Sequence, residues 1–135
     1  HKVSLFADAE SVLTCLHQHY QIGALTNGNA DVRKTEIGEH FDFAWRAEEF
    51  GISKPNPTFF HAAFAQVGVT PEEVIHVGDC HHNDVAGAVA AGAKAIWLKP
   101  EGGVSDIASE VILNLSDLPS AIDRAIGSTG CTKQR

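Results

Sequence analysis

Apolar positions along the chain switch repeatedly between helical and strand spacing. Leu5, Val12, Leu13 and Leu16 mark one stripe of a helix from roughly Ala7 to His19, with Asp8, Glu10, His17 and Gln18 mostly outside it. Ile22 to Thr26 reads as a short strand, closed by Asn27-Gly28-Asn29, a turn whose glycine can adopt positive φ. A helix from about Ala30 to Ile37 is expected next, and Phe41 to Trp45 alternates like a strand. Glu48 to Pro57 is a loop, with Pro57 well placed as the first helical residue of Thr58 to Gly68. On that helix Phe60, Ala63, Phe64 and Val67 recur at core spacing. Thr70-Pro71-Glu72-Glu73 carries a helix-start signature and predicts a single turn. Val74, Ile75 and Val77 form a β-branched run of the kind buried on both faces of a parallel sheet, and Gly78 breaks it. An Ala-rich helix closes at Gly92, Ala95 to Leu98 is another buried strand, and Lys99 to Gly103 is a loop at that strand's end. Val111 to Leu113 predicts a last short strand, and Leu118, Ala121, Ile122, Ala125 and Ile126 a final amphipathic helix.

Strands and helices alternating over short loops predict an α/β fold with a doubly wound parallel sheet and right-handed crossovers. A chain of 135 residues, 44% of them hydrophobic, holds one core, so residues 1–126 are expected to form one domain and Gly127 to Arg135 a disordered tail. No apolar run is long enough for a membrane span. The formal net charge of -7 argues against a nucleic-acid surface. Cys15, Cys80 and Cys131 are three cysteines without metal-site spacing, so neither a disulfide framework nor a zinc site is indicated, and a reducing, cytoplasmic setting is expected. The chain contains no Met and begins at His1, which is taken as the mark of a fragment or a processed product.

Charge and polarity change the picture at the strand ends. In open α/β sheets ligands bind at the carboxyl edge, and three loops are expected there: Thr26-Asn27-Gly28, Ser53-Lys54-Pro55, and Gly78-Asp79 through Asp84. Thr26 offers a hydroxyl, with backbone donors behind it, to a phosphate oxygen. Lys54, held by the stiff Pro55-Asn56-Pro57 neck, offers a cation suited to a phosphate or a developing oxyanion. Asp79 ends a strand and Asp84 lies in the first turn of the next helix, where the macrodipole also favours a carboxylate. The two acids are hard oxygen ligands of the kind Mg²⁺ accepts, one or two at a time beside waters and substrate phosphate. Together these residues describe a magnesium-assisted phosphoryl-transfer site that lacks a nucleophile. His81 and His82, in an exposed loop beside the acids, have no role fixed by the sequence, and Cys80 beside two carboxylates is not expected to be a reactive thiolate.

At these residues the chain resembles the haloacid dehalogenase-like hydrolases. Leu25-Thr26-Asn27-Gly28 is similar to that family's second motif, Ser53-Lys54-Pro55 to its third, and Gly78-Asp79 through Asn83-Asp84 to its fourth, in the family's order. The runs Ala24 to Ala30 and Ile75 to Asp79 resemble most the flavin-mononucleotide-type phosphatases of the capped subgroup. The resemblance implies that Thr26 and Asn27 bind the transferring phosphoryl group, that Lys54 neutralises it and steadies the nucleophile, that Asp79 ligates Mg²⁺, and that Asp84 holds a metal-bound water or Lys54. Lys54 and Asp84 are thus the candidate catalytic residues, and Asp79 and Asp84 the candidate metal residues. Dehalogenase members use no metal and usually carry Ser-Ser-Asn where this chain has Gly78-Asp79-Cys80, which favours the phosphatase branch.

The family's first motif, Asp-x-Asp-x-Thr, supplies the nucleophile and is absent from the 135 residues, as is the cap. Phe6-Ala7-Asp8-Ala9-Glu10 imitates it, but the span from Asp8 to Thr26 leaves room only for the helix assigned there. Two classes follow: a phosphomonoester hydrolase acting on a small phosphorylated metabolite whose first motif lies elsewhere, or a non-catalytic binding or interaction module. If the family order holds, the missing strand belongs between those ending at Thr26 and Asp79. Unpaired strand edges are costly when buried, so either those two strands pair directly or the slot is filled by Lys2 to Phe6, by a second copy through self-association, or by a separate N-terminal polypeptide. A filled slot is expected, because direct pairing would shift Thr26 and Asp79 together by one strand spacing, ~4.8 Å.

Overall fold

The computed structural model describes residues 2–26, 41–47 and 51–126. Helix α1 runs Lys2–His17 and precedes strand β1, Gly23–Thr26. The helix begins earlier than its apolar stripe does. Strand β2, Phe43–Arg46, lies parallel to β1, with Gly23 opposite Phe43 and Thr26 opposite Arg46. Helix α2, Pro57–Val67, starts with proline in its first turn, is capped by the Asn56 side chain accepting from the Thr58 N–H, and ends at Gly68 with φ 74°. A 3₁₀ turn at Pro71–Glu73, closed by a capping box between Thr70 and Glu73, leads into β3, Ile75–Gly78. A π-helical turn, His81–Ala86, then runs into the short helix α3, Gly87–Ala90. Strands β4, Lys94–Leu98, and β5, Glu110–Ile112, and helix α4, Leu118–Ile126, complete the chain. The expected helix over Ala30 to Ile37, the turn at Asn27 to Asn29 and the tail from Gly127 fall outside the described residues.

All pairings are parallel, in two sheets ordered β1-β2 and β3-β4-β5. Helices cover both faces. On one face α1 and α4 bury Val12, Leu16, Leu118, Ala121 and Ile122 against Ile96 and Ile112 of the sheet. On the other, Phe60, Ala63 and Phe64 of α2 pack with Val85, Ala88 and Ala95, and reach Leu25 of β1 and Trp45 of β2. Phe59 and Phe60 are both fully buried, so the core face of α2 is one residue wider than its apolar spacing indicates. The doubly wound parallel architecture predicted from the alternation is therefore the one observed.

Three expectations differ from the structure. The strand carrying Gly78-Asp79 reads as buried on both faces, but every residue of β3 is only half-buried. The physical reason is its position: β3 is the last strand of its sheet. A cavity of 740 Å³ lies between β3 and β1, lined by consecutive residues of both, Ile22 to Leu25 and Val74 to Asp79. Consecutive lining residues mean that strand edges face the cavity, since alternate residues would line it if a sheet face did. The two strands thus do not pair with each other. Lys2 to Phe6 cannot fill the slot as a strand, because it belongs to α1. Cysteine usage is the third difference: Cys15 is disulfide-bonded, whereas Cys80 is free.

Candidate active site

The site is assembled where β1, the Lys54 loop and the turn after β3 meet. Lys54 Nζ donates to the Leu25 carbonyl at 3.0 Å and to Asp84 Oδ1 at 2.6 Å. This cation therefore joins the end of one sheet to the turn that follows the other. The Lys54–Pro55 peptide is cis. Both members of the ion pair are largely withdrawn from water, the side chains of Lys54 and Asp84 being 10% and 7% exposed.

Asp84 can come this close because position 78 has no side chain: a Cβ on Gly78 would collide with the Asp84 carboxyl group. The π-helical turn sets the approach. Its first N–H groups are met by Cys80, whose Sγ accepts from Asn83 N–H at 3.5 Å and whose carbonyl accepts from Asp84 N–H at 2.8 Å. Gly87 seats the same element on the Lys54 loop, since a Cβ there would lie 3.0 Å from Pro55 Cα and 2.8 Å from the Phe60 ring.

The Asp84 carboxylate is held by three donors. Oδ1 takes Lys54 and also His76 Nε2, 3.1 Å away, while Oδ2 accepts from the Cys80 N–H at 3.2 Å. Burial by itself would raise the pKa of this acid, but the hydrogen bonds from His76 and Lys54 and the Lys54 charge outweigh it, and Asp84 sits well below the usual carboxylate range. It is therefore held as the anion at neutral pH. His76 escapes the sequence reading because one histidine inside an apolar run looks like strand. The signal that identifies it is its register, which puts it on the α2 side of β3 together with the Asp84 turn.

Asp79 follows β3 and is exposed, and its carboxylate makes no hydrogen bond or ion pair among the described residues. Its backbone carbonyl accepts from Trp97 Nε1 at 3.1 Å, which ties the loop to the end of β4. Trp97 in turn meets the His81 ring, centroids 4.7 Å apart, and His81 Nε2 lies 2.7 Å from Ser105 Oγ. His82 is exposed. Thr26 is the last residue of β1, next to the Leu25 carbonyl that holds Lys54, and Asn27 lies outside the described residues.

The donor set fits Mg²⁺ in part. Asp79 is a hard oxygen ligand unengaged among the described residues, whereas both oxygens of Asp84 accept hydrogen bonds, Oδ1 from Lys54 and His76 and Oδ2 from the Cys80 N–H. No group of three or more His, Cys, Asp and Glu capable of holding a metal occurs among the described residues. A small donor set of this kind suits a cation that keeps most of its waters.

Residues 1–92 match the model of the haloacid dehalogenase-like hydrolases. The chain is 33% identical over 102 residues to the 5-amino-6-(5-phospho-D-ribitylamino)uracil phosphatase of Escherichia coli, covering 76% of this chain and 43% of that protein. Against the phosphoserine phosphatase of Thermus thermophilus the identity is 36% over 107 residues, covering 72% and 43%. Among solved structures, a 2-haloacid dehalogenase from Pseudomonas syringae superposes with TM-score 0.83 at 39% identity, over 88% of this chain and 53% of that one. The chain spans about half the length of the relatives it matches.

Proposed function

The chain belongs to the haloacid dehalogenase-like hydrolases, and from that premise we propose that it carries the phosphoryl- and magnesium-binding part of a phosphomonoester hydrolase acting on a small phosphorylated metabolite. The observation that carries this reading is the Lys54 ammonium, clamped between the Leu25 carbonyl and the Asp84 carboxylate at the end of β1. It lies beside Thr26, the last residue of β1, and Thr26 and Asn27 are proposed to supply the donors to a phosphoryl oxygen. Lys54 stabilises the charge that develops on that group during transfer. Asp84 holds the Lys54 ammonium in place through its 2.6 Å ion pair and, if it served the metal as well, would do so through a water. Asp79 would hold Mg²⁺, and the metal would supply charge neutralisation for phosphoryl oxygens.

Transfer needs a nucleophile, and the 135 residues contain no Asp-x-Asp-x-Thr. The 135-residue chain by itself is therefore proposed to bind phosphate without turning over. A second polypeptide, or a second copy of the chain, is proposed to fill the slot between β1 and β3. No helix among the described residues is long and apolar enough to cross a membrane. We keep the cytoplasmic setting in the proposal, and the disulfide at Cys15 stands against it, since such bonds belong mainly to oxidising compartments.

The superposition on a protein described as a 2-haloacid dehalogenase favours a second reading, carbon–halogen hydrolysis. The unengaged Asp79 is the feature that weighs for the phosphatase. The test is an assay of the chain with a generic phosphomonoester and Mg²⁺, in parallel with a 2-haloacid and chelator. No phosphate release together with measurable inorganic phosphate binding is expected. Mg²⁺-dependent release that disappears in Asp79→Ala would show that the nucleophile lies within these residues, and halide release without metal would establish the second reading.

A further inference from the structure

His76 occupies a strand position where the alternation calls for an apolar side chain. Its neighbours Ile75 and Val77 pack toward α1 and α4, and Val74 packs toward α2. His76 shares the α2 side, meeting the Phe60 ring edge-on with centroids 5.1 Å apart. Its side chain is only 12% exposed. From that apolar setting Nε2 reaches Asp84 Oδ1 at 3.1 Å, the same oxygen that Lys54 meets at 2.6 Å. An ionised carboxylate can only accept, so His76 carries its hydrogen on Nε2 and donates it.

The consequence lies in how Asp84 is fixed. Lys54 is the end of a long flexible side chain, and the Cys80 N–H holds the opposite oxygen. Among the described residues His76 is the side-chain donor to Asp84 that comes from a strand, and with the Cys80 N–H on the other oxygen it fixes the rotation of the carboxyl group about its last bond. Lys54 follows that oxygen. We propose that His76 is a positioning residue that acts through Asp84 to hold the Lys54 ammonium at the end of β1. Only the last step, that the held ammonium serves a phosphoryl group, rests on the proposed function.

The test compares the 135-residue chain with His76→Phe and His76→Gln. Phenylalanine keeps a ring against Phe60 and removes the donor, while glutamine restores an N–H near the position of Nε2. The first readout is the ¹⁵Nζ signal of the Lys54 ammonium in NMR, which is visible when its protons are held and exchange slowly with water. The signal is expected in the original chain, lost in His76→Phe and recovered in His76→Gln. A purely structural role would not produce that recovery. Should His76→Phe not fold, His76→Met removes the donor and takes the same reading. An unchanged signal in the donor-free variant, or equal loss in both variants, overturns the proposal. The second readout is inorganic phosphate affinity, expected to fall about tenfold in His76→Phe and to return in His76→Gln. If the signal behaves as expected but the original chain binds no phosphate, the positioning role stands and the phosphoryl reading alone fails.

Discussion

Asp84 keeps its negative charge in a place where burial would otherwise neutralise it, and its partners set how the molecule responds to acid. Its folded pKa is lowered, so its contribution to stability is present above the ordinary carboxylate pKa of about 4 and is lost as pH falls through and below that value. Denaturant unfolding between pH 7 and pH 3 should therefore show stability falling with pH in the original chain, and a shallower fall in Asp84→Asn. Removing the acid breaks a buried ion pair by taking away one member, so Asp84→Ala should cost about 3–5 kcal/mol at pH 7. Lys54, Asp79 and Asp84 are legible in the sequence because each stands in a short motif at the end of an apolar run. His76 is not, because nothing in a linear pattern tells which face of the strand will meet a helix turn folded back over it.

At the scale of elements, the site depends on two close approaches that only glycine allows. Gly78→Ala should push the Asp84 carboxylate away from β3, destabilise the chain by about 1–3 kcal/mol and break the bond to Lys54, which thermal melts and the Lys54 ammonium signal would report together. Helix α2 is the other support. Phe60 is fully buried and touches Phe59, Phe64 and His76, so Phe60→Ala should cost about 3–5 kcal/mol. The described helices and strands are readable from apolar spacing, with boundaries moved by a few residues, as at α1. The π-helical turn at His81–Ala86 is not readable, because it arises from the seating of Asp84 on Gly78 and of Gly87 on Pro55. The character of β3 is misjudged for a related reason: a β-branched run signals burial, but not whether a neighbouring strand is there to complete it.

The whole molecule is a three-layer α/β body whose sheet is divided at the cavity between β1 and β3. Lys54 and the α2 core bridge the division, which is why the site is assembled although the sheet is not continuous. In its inter-chain form, the proposed filling of the slot predicts that the melting temperature rises with protein concentration, each tenfold step adding up to about 1.4 kcal/mol of stability. A melt independent of concentration, from a chain that sediments as a monomer, would rule out a second copy as the occupant. The end of β1, the Lys54 loop and the Asp79 turn are proposed to form one phosphoryl site. The most direct test is amide NMR of the chain titrated with inorganic phosphate and Mg²⁺. Signals of Leu25, Lys54, Asp79 and Cys80 should shift together along one binding curve, and the Mg²⁺-dependent part should vanish in Asp79→Ala. Shifts confined to other parts of the surface, or a response unchanged by Asp79→Ala, would contradict it.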